Sequence, residues 1–355
     1  MSILALTVLV FFLSIIFTYT NGFQDGSSVA AGAIASRALS RLQTIILVAL
    51  FEFLGALFGG SAVSHSIQAL TNWPRVPSLL PVLASALFAA ILWNYITKVC
   101  RFPSSSTHAL VGGMIGAVFA GSGGFQHIVW GDPDHVMHST GIWKVIFSLF
   151  LSPAIGFAAG YVCLVLTLIL LHRATTRANR GLKQLQIFTT AVLAFAHGAN
   201  DTQKAMGLLV LTLNAAGYMH GDDIPLWVRL LSGSAMAIGV ASLAPGIVKR
   251  VGLGIYRLRP LHGFVTEFSS AVVVLIGSLT GGPVSASQVI ASAVMGVGSA
   301  QRKKGVHWLV ARDMLVAWFL TIPCSGLLAC GLHLTIFHFL NNVLKLSASA
   351  AAGGP

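Results

Sequence analysis

Two aspartates lie inside apolar stretches that are long enough to cross a membrane, and each follows a glycine by three residues. Gly22 and Asp25 form the first pair, and Gly198 and Asp201 form the second. A charged side chain at the centre of a membrane-spanning helix costs about 2.5 to 3.5 kcal/mol, so two of them in matched contexts predict a functional site. The simpler interpretation, a polar residue that caps a kinked helix, suits one motif alone better than it suits the matched pair.

The oxygen atoms of these motifs indicate cation binding. The carboxylates of Asp25 and Asp201, together with the amides of Asn21 and Asn200 and with backbone carbonyls, are the hard oxygen ligands that a sodium ion requires. The same carboxylates are suited to accept a proton. The sequence therefore predicts cation coupling by sodium or a proton, and in the sodium case the predicted metal ligands are Asn21, Asp25, Asn200 and Asp201.

Two further acids, Glu52 and Glu267, also lie in apolar stretches. They are predicted to be additional cation ligands or protonatable relays. An interpretation of equal weight for Glu52 is a lipid-shielded acid that is hydrogen-bonded to a neighbouring helix. Lys204 follows Asp201 by one helical turn and is predicted to neutralise it. His197 lacks a companion of the HExxH type, so a metal site is not expected around it.

Two hydroxyl-rich segments indicate an anion site. Pro103 precedes three Ser residues and a Thr, and Pro283 precedes Ser285 and Ser287, a composition that is poor for a helix interior and good for a hairpin tip. The helix that starts after each proline would point free N–H groups and its positive dipole end into the site, and the hydroxyls would add neutral donors for an oxyanion. An ordinary N-cap is the simpler interpretation of each tip. The predicted oxyanion ligands are Ser104, Ser105, Ser106, Thr107, Ser285 and Ser287, together with Asp25 and Asp201.

Composition places the chain among multi-pass membrane proteins. Of 355 residues, 55% are apolar and 8% are charged, and the mean hydropathy is +0.84, values that a soluble domain does not reach. The 21 Lys and Arg residues outnumber the 9 Asp and Glu residues, but they cluster between apolar runs. This pattern indicates membrane orientation and argues against a nucleic-acid partner. The first apolar run leads into the Asn21 motif, so we expect no cleavable signal peptide.

The chain contains an internal repeat. The offset from Asp25 to Asp201 is 176 residues, and the offset from Pro103 to Pro283 is 180 residues. We expect the first helix of each half to be broken at its aspartate motif. The predicted apolar segments are 3–36, 44–62, 82–100, 104–120 and 142–171 in the first half, and 187–214, 228–248, 263–280, 284–299 and 308–340 in the second.

Basic clusters predict the orientation of the two halves. Lys and Arg concentrate at 37–41, 172–186, 249–259 and 301–305, which the positive-inside rule assigns to the cytoplasm, whereas 121–140 and 215–226 lack them and are assigned to the outside. The hairpins then open toward opposite sides, so the halves have opposite topology.

The predicted fold is an all-α integral membrane protein with two inverted-topology repeats, each with a broken helix, simple spans and a Ser/Thr-tipped helical hairpin. The predicted domains are a first transmembrane repeat at 1–171, a basic cytoplasmic linker at 172–186, an inverted second transmembrane repeat at 187–345 and a tail at 346–355.

The motifs resemble the paired signatures of the inorganic phosphate transporter (PiT) family. The matching stretches are 21–25, 103–108, 198–205 and 283–287, and 259–267 resembles the family's segment before its second hairpin. The resemblance implies uptake of inorganic phosphate coupled to sodium or protons, with the paired aspartates, the membrane glutamates and both hairpins essential. Two departures leave the oxyanion open between phosphate and sulfate, since PiT-like chains that carry sulfate exist. Residues 26–28 read Gly-Ser-Ser where Ala-Ala-Asn is usual, and Ala286 and Gln288 stand where Thr and His are usual.

The leading hypothesis is a cation-coupled phosphate symporter that works by alternating access in the cell (plasma) membrane. We expect no enzymatic activity and no cofactor beyond the coupling ion. The predicted partners are inorganic phosphate, Na+ or H+ and the lipid bilayer, and a homodimer is left open. The runner-up is a PiT-like sulfate permease. An intramembrane aspartyl protease with Asp25 and Asp201 as its dyad would give the hydroxyl-rich hairpins no role, and a passive anion channel would not need four buried acids.

Overall fold

The computed structural model describes residues 2–100, 104–135, 140–173 and 178–351, and these residues form α-helices and no β-strand. Pro103 of the predicted first tip and residues 174–177 of the predicted linker lie outside the described residues. The helices are α1 (Ile3–Ala35), α2 (Arg41–Phe58), α3 (Ala62–Gln68), α4 (Leu79–Val99), α5 (Ser106–Ser122), α6 (Ile142–Leu170), α7 (Ala178–Ala215), α8 (Leu226–Ala241), α9 (Pro245–Lys249), α10 (Pro260–Thr280), α11 (Ala286–Arg302) and α12 (Trp308–Ala351).

The two halves pack through exchanged contacts. Helix α2 packs on α7 while α8 packs on α1, and α6 packs on α11 while α12 packs on α5. Each of these contacts joins one half to the other and has a counterpart in which the halves are exchanged, as expected for two related repeats. The predicted all-helical fold with two repeats is confirmed.

Apolar length identifies the membrane-spanning helices. Within the described residues, six helices are long and apolar enough to cross a membrane, and the bent pair of α8 and the segment after it would be a seventh. The six are α1, α2, α4, α6, α10 and α12. The chain is therefore a multi-pass membrane protein.

The predicted basic segments gather at one end of the bundle. Ala35 at the end of α1 lines a cavity with Arg37, Lys249 and Arg257, and Asn179 at the start of α7 lines an adjoining cavity that also includes Arg257. The end of α7 lies away from these two cavities, because residues 214–217 line a different cavity with residues 75–77. Helices α1 and α7 thus run in opposite directions, which agrees with inverted topology.

The predicted break at each aspartate motif is wrong, because α1 and α7 are helical throughout. The glycines of the motifs permit close helix crossings instead. A Cβ on Gly22 would collide with the carbonyl oxygen of Met236 in α8, and a Cβ on Gly198 would collide with the backbone of Glu52 in α2. The glycine of each motif therefore marks a helix crossing one turn before the carboxylate, and side chains supply the polar atoms of the site.

The helix interruption in the second half lies beyond the aspartate motif. Helix α8 ends at Ala241 and the chain bends by 70° into the segment Pro245–Ile255, so the predicted span 228–248 contains a bend that the sequence did not predict. Pro245 has no N–H and cannot continue a helix from the residues before it. The N–H of Ala244, which the bend leaves without a helical acceptor, donates to Ser27 Oγ of α1 at 2.8 Å.

The first half contains a short helix that the sequence did not predict. Three residues separate the end of α2 at Phe58 from the start of α3 at Ala62, and the N–H groups of Val63 and Ser64 at its start donate to Gln203 Oε1 of α7 at 2.9 and 3.3 Å. A helix start requires acceptors for its first N–H groups. The side chain that supplies them belongs to the opposite repeat.

The two hairpins open at opposite ends of the bundle. The first hairpin is α4 with α5, and the backbone segments at its open end pair with each other through Asn72 N to His127 O at 3.1 Å. The second hairpin is α10 with α11, and its open end, with Pro260 and Arg302, lines a cavity at the basic end. The tips of the two hairpins meet between these ends.

Candidate functional site

The polar faces of α1 and α7 meet both hairpin tips in the interior of the protein. We call residues 104–107 the first tip and residues 281–287 the second tip. The structure buries each predicted site residue to 1% exposure or less. These residues are Asn21, Asp25, Glu52, Ser104, Ser105, Ser106, Thr107, Asn200, Asp201, Glu267, Ser285 and Ser287.

The first tip is held by α1. The Ser106 hydroxyl donates to Asp25 Oδ2 and lies 3.0 Å from Asn21 Oδ1. Ser104 Oγ accepts from Gln24 Nε2 at 2.6 Å. Ser105 has the simpler role that the sequence left open, because its hydroxyl caps α5 by accepting from the backbone N–H of His108 at 3.1 Å.

The second tip is held by α7 through backbone atoms. The side-chain amide of Asn200 donates to the carbonyl of Gly282 at 3.2 Å. Ser285 Oγ and Ser287 Oγ are 3.3 Å apart, and Ser285 makes no side-chain capping bond to α11. The Ser287 hydroxyl donates to the carbonyl of Ser104 at 3.4 Å, so the two tips are in direct contact.

A histidine joins two of the buried carboxylates. His197 Nδ1 lies 2.7 Å from Glu52 Oε1, and His197 Nε2 lies 3.4 Å from Asp201 Oδ2, an ion-pair distance without hydrogen-bond geometry. Glu52 is therefore a buried acid bonded to a neighbouring helix, as the simpler interpretation held, but its partner belongs to the site.

Lys204 lies at the centre of the site and contacts oxygens from three elements. Its ammonium is 2.6 Å from Asp201 Oδ1, 2.5 Å from the Thr107 hydroxyl and 2.9 Å from the carbonyl of Val284. The predicted pairing of Lys204 with Asp201 is confirmed by this geometry. The contacts also tie both hairpin tips to α7.

Three of these side chains form a cluster with the composition of a cation site. One ligand atom from each of Asp25, His197 and Asp201 can be chosen so that all lie within 4.8 Å of one another. His197 lacks an HExxH-type companion, and its neighbours in the cluster come instead from α1 and from the next turn of α7. Carboxylate oxygens and an imidazole nitrogen suit a small cation or a proton.

Several buried polar atoms around this cluster have no hydrogen-bonding partner among the described residues. A buried polar atom without a partner is uncommon and requires an explanation, such as a bound ligand. Three of the residues concerned, Asp25, His197 and Asp201, form the cluster itself, which indicates a binding site. The atoms are Asn21 Nδ2, Asp25 Oδ1, Ser28 Oγ, Glu52 Oε2, His197 Nε2, Asn200 Oδ1 and Asp201 Oδ2.

Glu267 is the predicted site residue that the structure does not bring to this junction. Its carboxylate accepts from Gln186 Nε2 at 3.0 Å and from the hydroxyls of Thr189 and Thr190 at 3.1 and 2.8 Å. These partners lie on α7 about three helical turns before Asp201. Glu267 therefore occupies a separate buried carboxylate site nearer the basic end, and its role in cation coupling stays a prediction.

Sequence reasoning brought most of the junction together but missed His197 and Gln24 as members. The repeat offers a signal for His197, because an offset of 176 aligns it with Asn21 of the first motif. The same offset aligns Gln24 with Asn200. Both residues therefore occupy positions whose counterparts were predicted to be ligands.

The family model described as "Phosphate transporter family" matches the chain twice, over residues 21–184 and over residues 170–329. A curated relative from Bacillus subtilis (strain 168), named "Probable low-affinity inorganic phosphate transporter", is 33% identical, and the match covers 96% of this chain and 99% of the relative. A relative of the same name from Rhizobium meliloti (strain 1021) is 32% identical over 89% of this chain and 92% of its own length.

A solved structure has the same fold. The structure described as "The sodium-dependent phosphate transporter" superposes with a TM-score of 0.80 and covers 94% of this chain and 99% of that chain, at 24% sequence identity. The two chains therefore share a fold.

Proposed function

Because this chain belongs to the phosphate transporter family and transports inorganic phosphate across a membrane, we propose that it is a symporter, in which a sodium ion or a proton accompanies phosphate by alternating access. The relatives are transporters by name, so the chain is a transporter and not an enzyme. One observation carries the proposal, the cluster of Asp25, His197 and Asp201 within 4.8 Å at the contact between the hairpin tips.

Charge balance supports co-transport of a cation. Asp25, Glu52 and Asp201 are buried carboxylates, and Lys204 is the one Lys or Arg that forms an ion pair with any of them among the described residues. A phosphate anion that entered this environment alone would add negative charge to it, which low-dielectric surroundings strongly disfavour. A cation bound at the cluster would offset that charge. The sodium ion, if sodium is the coupling ion, is cargo of the transport cycle.

The hairpin tips supply the donors for phosphate in this proposal. The ligands are drawn from Ser104, Ser105, Ser106, Thr107, Ser285 and Ser287, with the N–H groups at the start of α11. Neutral donors at a helix start bind an oxyanion without trapping it as a buried arginine would. Asp25 and Asp201 accept the phosphate O–H. Asn21, Asp25, Asn200 and Asp201 surround the cation, with Glu52 acting through His197.

Alternating access is supported by the burial of the site. Every residue at the junction is shielded from both ends, so phosphate reaches it only after part of the protein moves. The hairpins open at opposite ends, and their tips meet through the contact of Ser287 with Ser104. Separation of one tip at a time would open the site to one side at a time. We place this cycle in the cell membrane, with repeats at 1–171 and 187–345 joined by a cytoplasmic linker and followed by a tail at 346–355.

The test is uptake of radiolabelled phosphate into proteoliposomes that contain the purified full chain. An inward sodium gradient and an inward proton gradient are imposed separately, and protein-free liposomes give the background. We expect one gradient to drive accumulation above the equilibrium level. Collapse of that gradient with an ionophore should abolish the accumulation while leaving phosphate exchange intact.

Two results would contradict the proposal. Phosphate entry that only equilibrates under every imposed gradient would indicate passive transport. Accumulation that survives dissipation of both gradients would show that the driving force is neither ion.

A further inference from the structure

The two repeat-related aspartates have different surroundings at the next helical turn. Residue 204 follows Asp201 by three positions, and the 176-residue offset aligns Lys204 with Ser28, which follows Asp25 by three positions. Residues three apart on a helix are surface neighbours. The second half thus presents an ammonium to its aspartate where the first half presents a hydroxyl.

Lys204 is bound as a coordinated cation would be. Its ammonium contacts a carboxylate oxygen of Asp201 at 2.6 Å, a hydroxyl oxygen of Thr107 at 2.5 Å and the carbonyl oxygen of Val284 at 2.9 Å. The side chain is fully buried. An ammonium has three N–H donors, and three oxygens engage them, so no donor is left for a phosphate oxygen. Lys204 is therefore placed to neutralise Asp201 and not to bind the anion.

Asp25 has no such partner. One oxygen, Oδ2, accepts from the Ser106 hydroxyl, and the other, Oδ1, has no hydrogen-bonding partner among the described residues. The Ser28 hydroxyl, one turn further along α1, is fully buried and is also without a partner. The ammonium of Lys98 lies over the ring of Phe23, 3.7 Å from its centroid, and makes no ion pair with Asp25. Two oxygen atoms of the first half are thus left for a ligand where the second half has its own cation.

We propose that Lys204 is a built-in counter-ion that permanently holds the cation position of Asp201, and that the exchangeable coupling cation binds at Asp25 with Ser28 as an additional ligand. The inference rests on the proposed cation-coupled symport and assigns its ion to one half of the repeat. Asp201 still offers its second oxygen, Oδ2, to the cluster, but its negative charge is balanced within the chain.

The inference is tested by making the second half resemble the first. Lys204→Ser leaves Asp201 without its ammonium and introduces the hydroxyl of the first half. We expect phosphate uptake at the wild-type half-saturating cation concentration to fall at least about tenfold, because a buried charge has lost its partner. The order of the cation dependence should rise by about one at high cation concentration, because an exchangeable cation must then fill the vacated position.

The double variant Lys204→Ser/Asp201→Asn removes the ammonium and the charge that it balances. Its uptake should stay below wild type, because Asp201 is also a proposed phosphate acceptor, but the order of the cation dependence of that uptake should return to the wild-type value, since the pair is replaced by neutral groups. Lys98→Ser is the matched control, because it removes a lysine ammonium that does not contact Asp201, and it should leave the cation dependence unchanged. Elution as a single species on size exclusion establishes that each variant is folded.

Three outcomes would overturn the inference. The first is wild-type cation dependence in Lys204→Ser. The second is a folded double variant whose cation order stays as high as the order expected for Lys204→Ser. The third is a raised KM for phosphate with an unchanged cation order in Lys204→Ser itself, which would make Lys204 a phosphate ligand. Uptake by the wild-type protein is measured before that of any variant. If it does not depend on any cation gradient, the proposed symport itself is contradicted.

Discussion

The two hairpin tips are related by the repeat, but they use their polar groups differently. In the first tip the hydroxyls are engaged inside the protein. Ser105 caps α5, Ser106 contacts Asp25, and Thr107 accepts from Lys204. This tip is committed to holding α1 and α7 in place.

The second tip makes longer hydrogen bonds. Ser285 Oγ and Ser287 Oγ are 3.3 Å apart, and Ser287 Oγ lies 3.4 Å from the carbonyl oxygen of Ser104. Helix α11 starts without a side-chain cap, so its first N–H groups have no hydroxyl acceptor of that kind. Helix α5 thus starts with a hydroxyl cap and helix α11 starts without one, and this difference supports our proposal that the second tip supplies donors to phosphate.

The cation side of the site shows the opposite division. The second half carries its own cation in Lys204, while the first half leaves Asp25 Oδ1 without a partner. In the first half the tip is held by internal contacts and Asp25 is open, whereas in the second half Asp201 is paired with Lys204 and the tip is open. We therefore propose that the exchangeable cation binds mainly to the first half and that the second half supplies most of the phosphate donors.

The division of roles between the two halves depends on their inverted topology. Inverted topology predicts that cysteines introduced at the open ends of the two hairpins are each labelled from one side of the membrane only. In a background with the four native cysteines replaced by serine, a cysteine at Asp132 should react with a membrane-impermeant maleimide only from outside, and one at Lys303 only from the cytoplasm. Both positions are exposed in the structure. Labelling of the two from the same side would show that the open ends of the hairpins face one compartment.

Loss of the first aspartate should have the largest effect on transport. Asp25→Asn keeps the size and the Ser106 contact but removes the charge that binds the cation, so gradient-driven accumulation should fall by at least about a hundredfold, to background. The measurement is phosphate accumulation in proteoliposomes under the coupling gradient. Asp223→Asn, which alters an exposed acid, is the control and should resemble wild type. Normal accumulation in Asp25→Asn would assign the exchangeable cation to another group.

Much of this arrangement could be predicted from sequence, because the repeat places similar residues at equivalent depths. Asp25 and Asp201, and the serines of both tips, were identified from spacing alone. The role of Gly22 could not be predicted, because its crossing partner is Met236 of the other half. A local pattern cannot distinguish a glycine that breaks a helix from one that lets another helix approach.

The contacts between charged and polar groups of the site could not be predicted from the sequence, because they also join residues of different halves. His197 and Glu52 are 145 positions apart, and Lys204 and Thr107 are 97 apart, so each pair meets only through the packing of the two halves. The pairing of Lys204 with Asp201 was predictable, since both lie on one helix at neighbouring turns. Local partners are thus visible in the sequence, and partners contributed by the other repeat are not.

The open carboxylate oxygens predict discrimination between phosphate and sulfate. Phosphate at neutral pH carries a hydroxyl that can donate to Asp25 Oδ1 or Asp201 Oδ2, both without a hydrogen-bonding partner. Sulfate has only acceptors, so one of its oxygens would face a carboxylate, and such a mismatch costs about 1 to 3 kcal/mol, roughly 5- to 150-fold in affinity. Sulfate should therefore compete weakly for labelled phosphate uptake. Equal competition would contradict the assignment of a carboxylate as acceptor.

Loss of a hydroxyl from the second tip should weaken phosphate binding more than loss of a hydroxyl from the first tip. Ser287→Ala removes a hydroxyl whose contacts to Ser285 Oγ and to the Ser104 carbonyl are long, 3.3 and 3.4 Å, so we expect the main loss to be its interaction with the anion. We expect the KM for phosphate to rise about tenfold with an unchanged cation requirement, because a hydrogen bond to a charged group contributes about 1.5 to 3 kcal/mol. An unchanged KM would remove Ser287 from the phosphate ligands.

The corresponding change in the first tip should have the smallest effect on phosphate binding. The Ser105 hydroxyl caps α5 by accepting the His108 N–H, and if this cap is its chief role, Ser105→Ala should leave the KM for phosphate within about twofold of wild type. The loss of the cap should instead destabilise the first hairpin by about 1 kcal/mol, seen as a lower melting temperature in detergent. Ser105→Thr keeps a hydroxyl that can cap α5 and should restore the melting temperature. Ser105→Asp would also cap the helix, but it would add a charge to the site. A tenfold rise in KM for Ser105→Ala with unchanged thermal stability would reverse the assignment, because the first tip would then be the one that binds the anion.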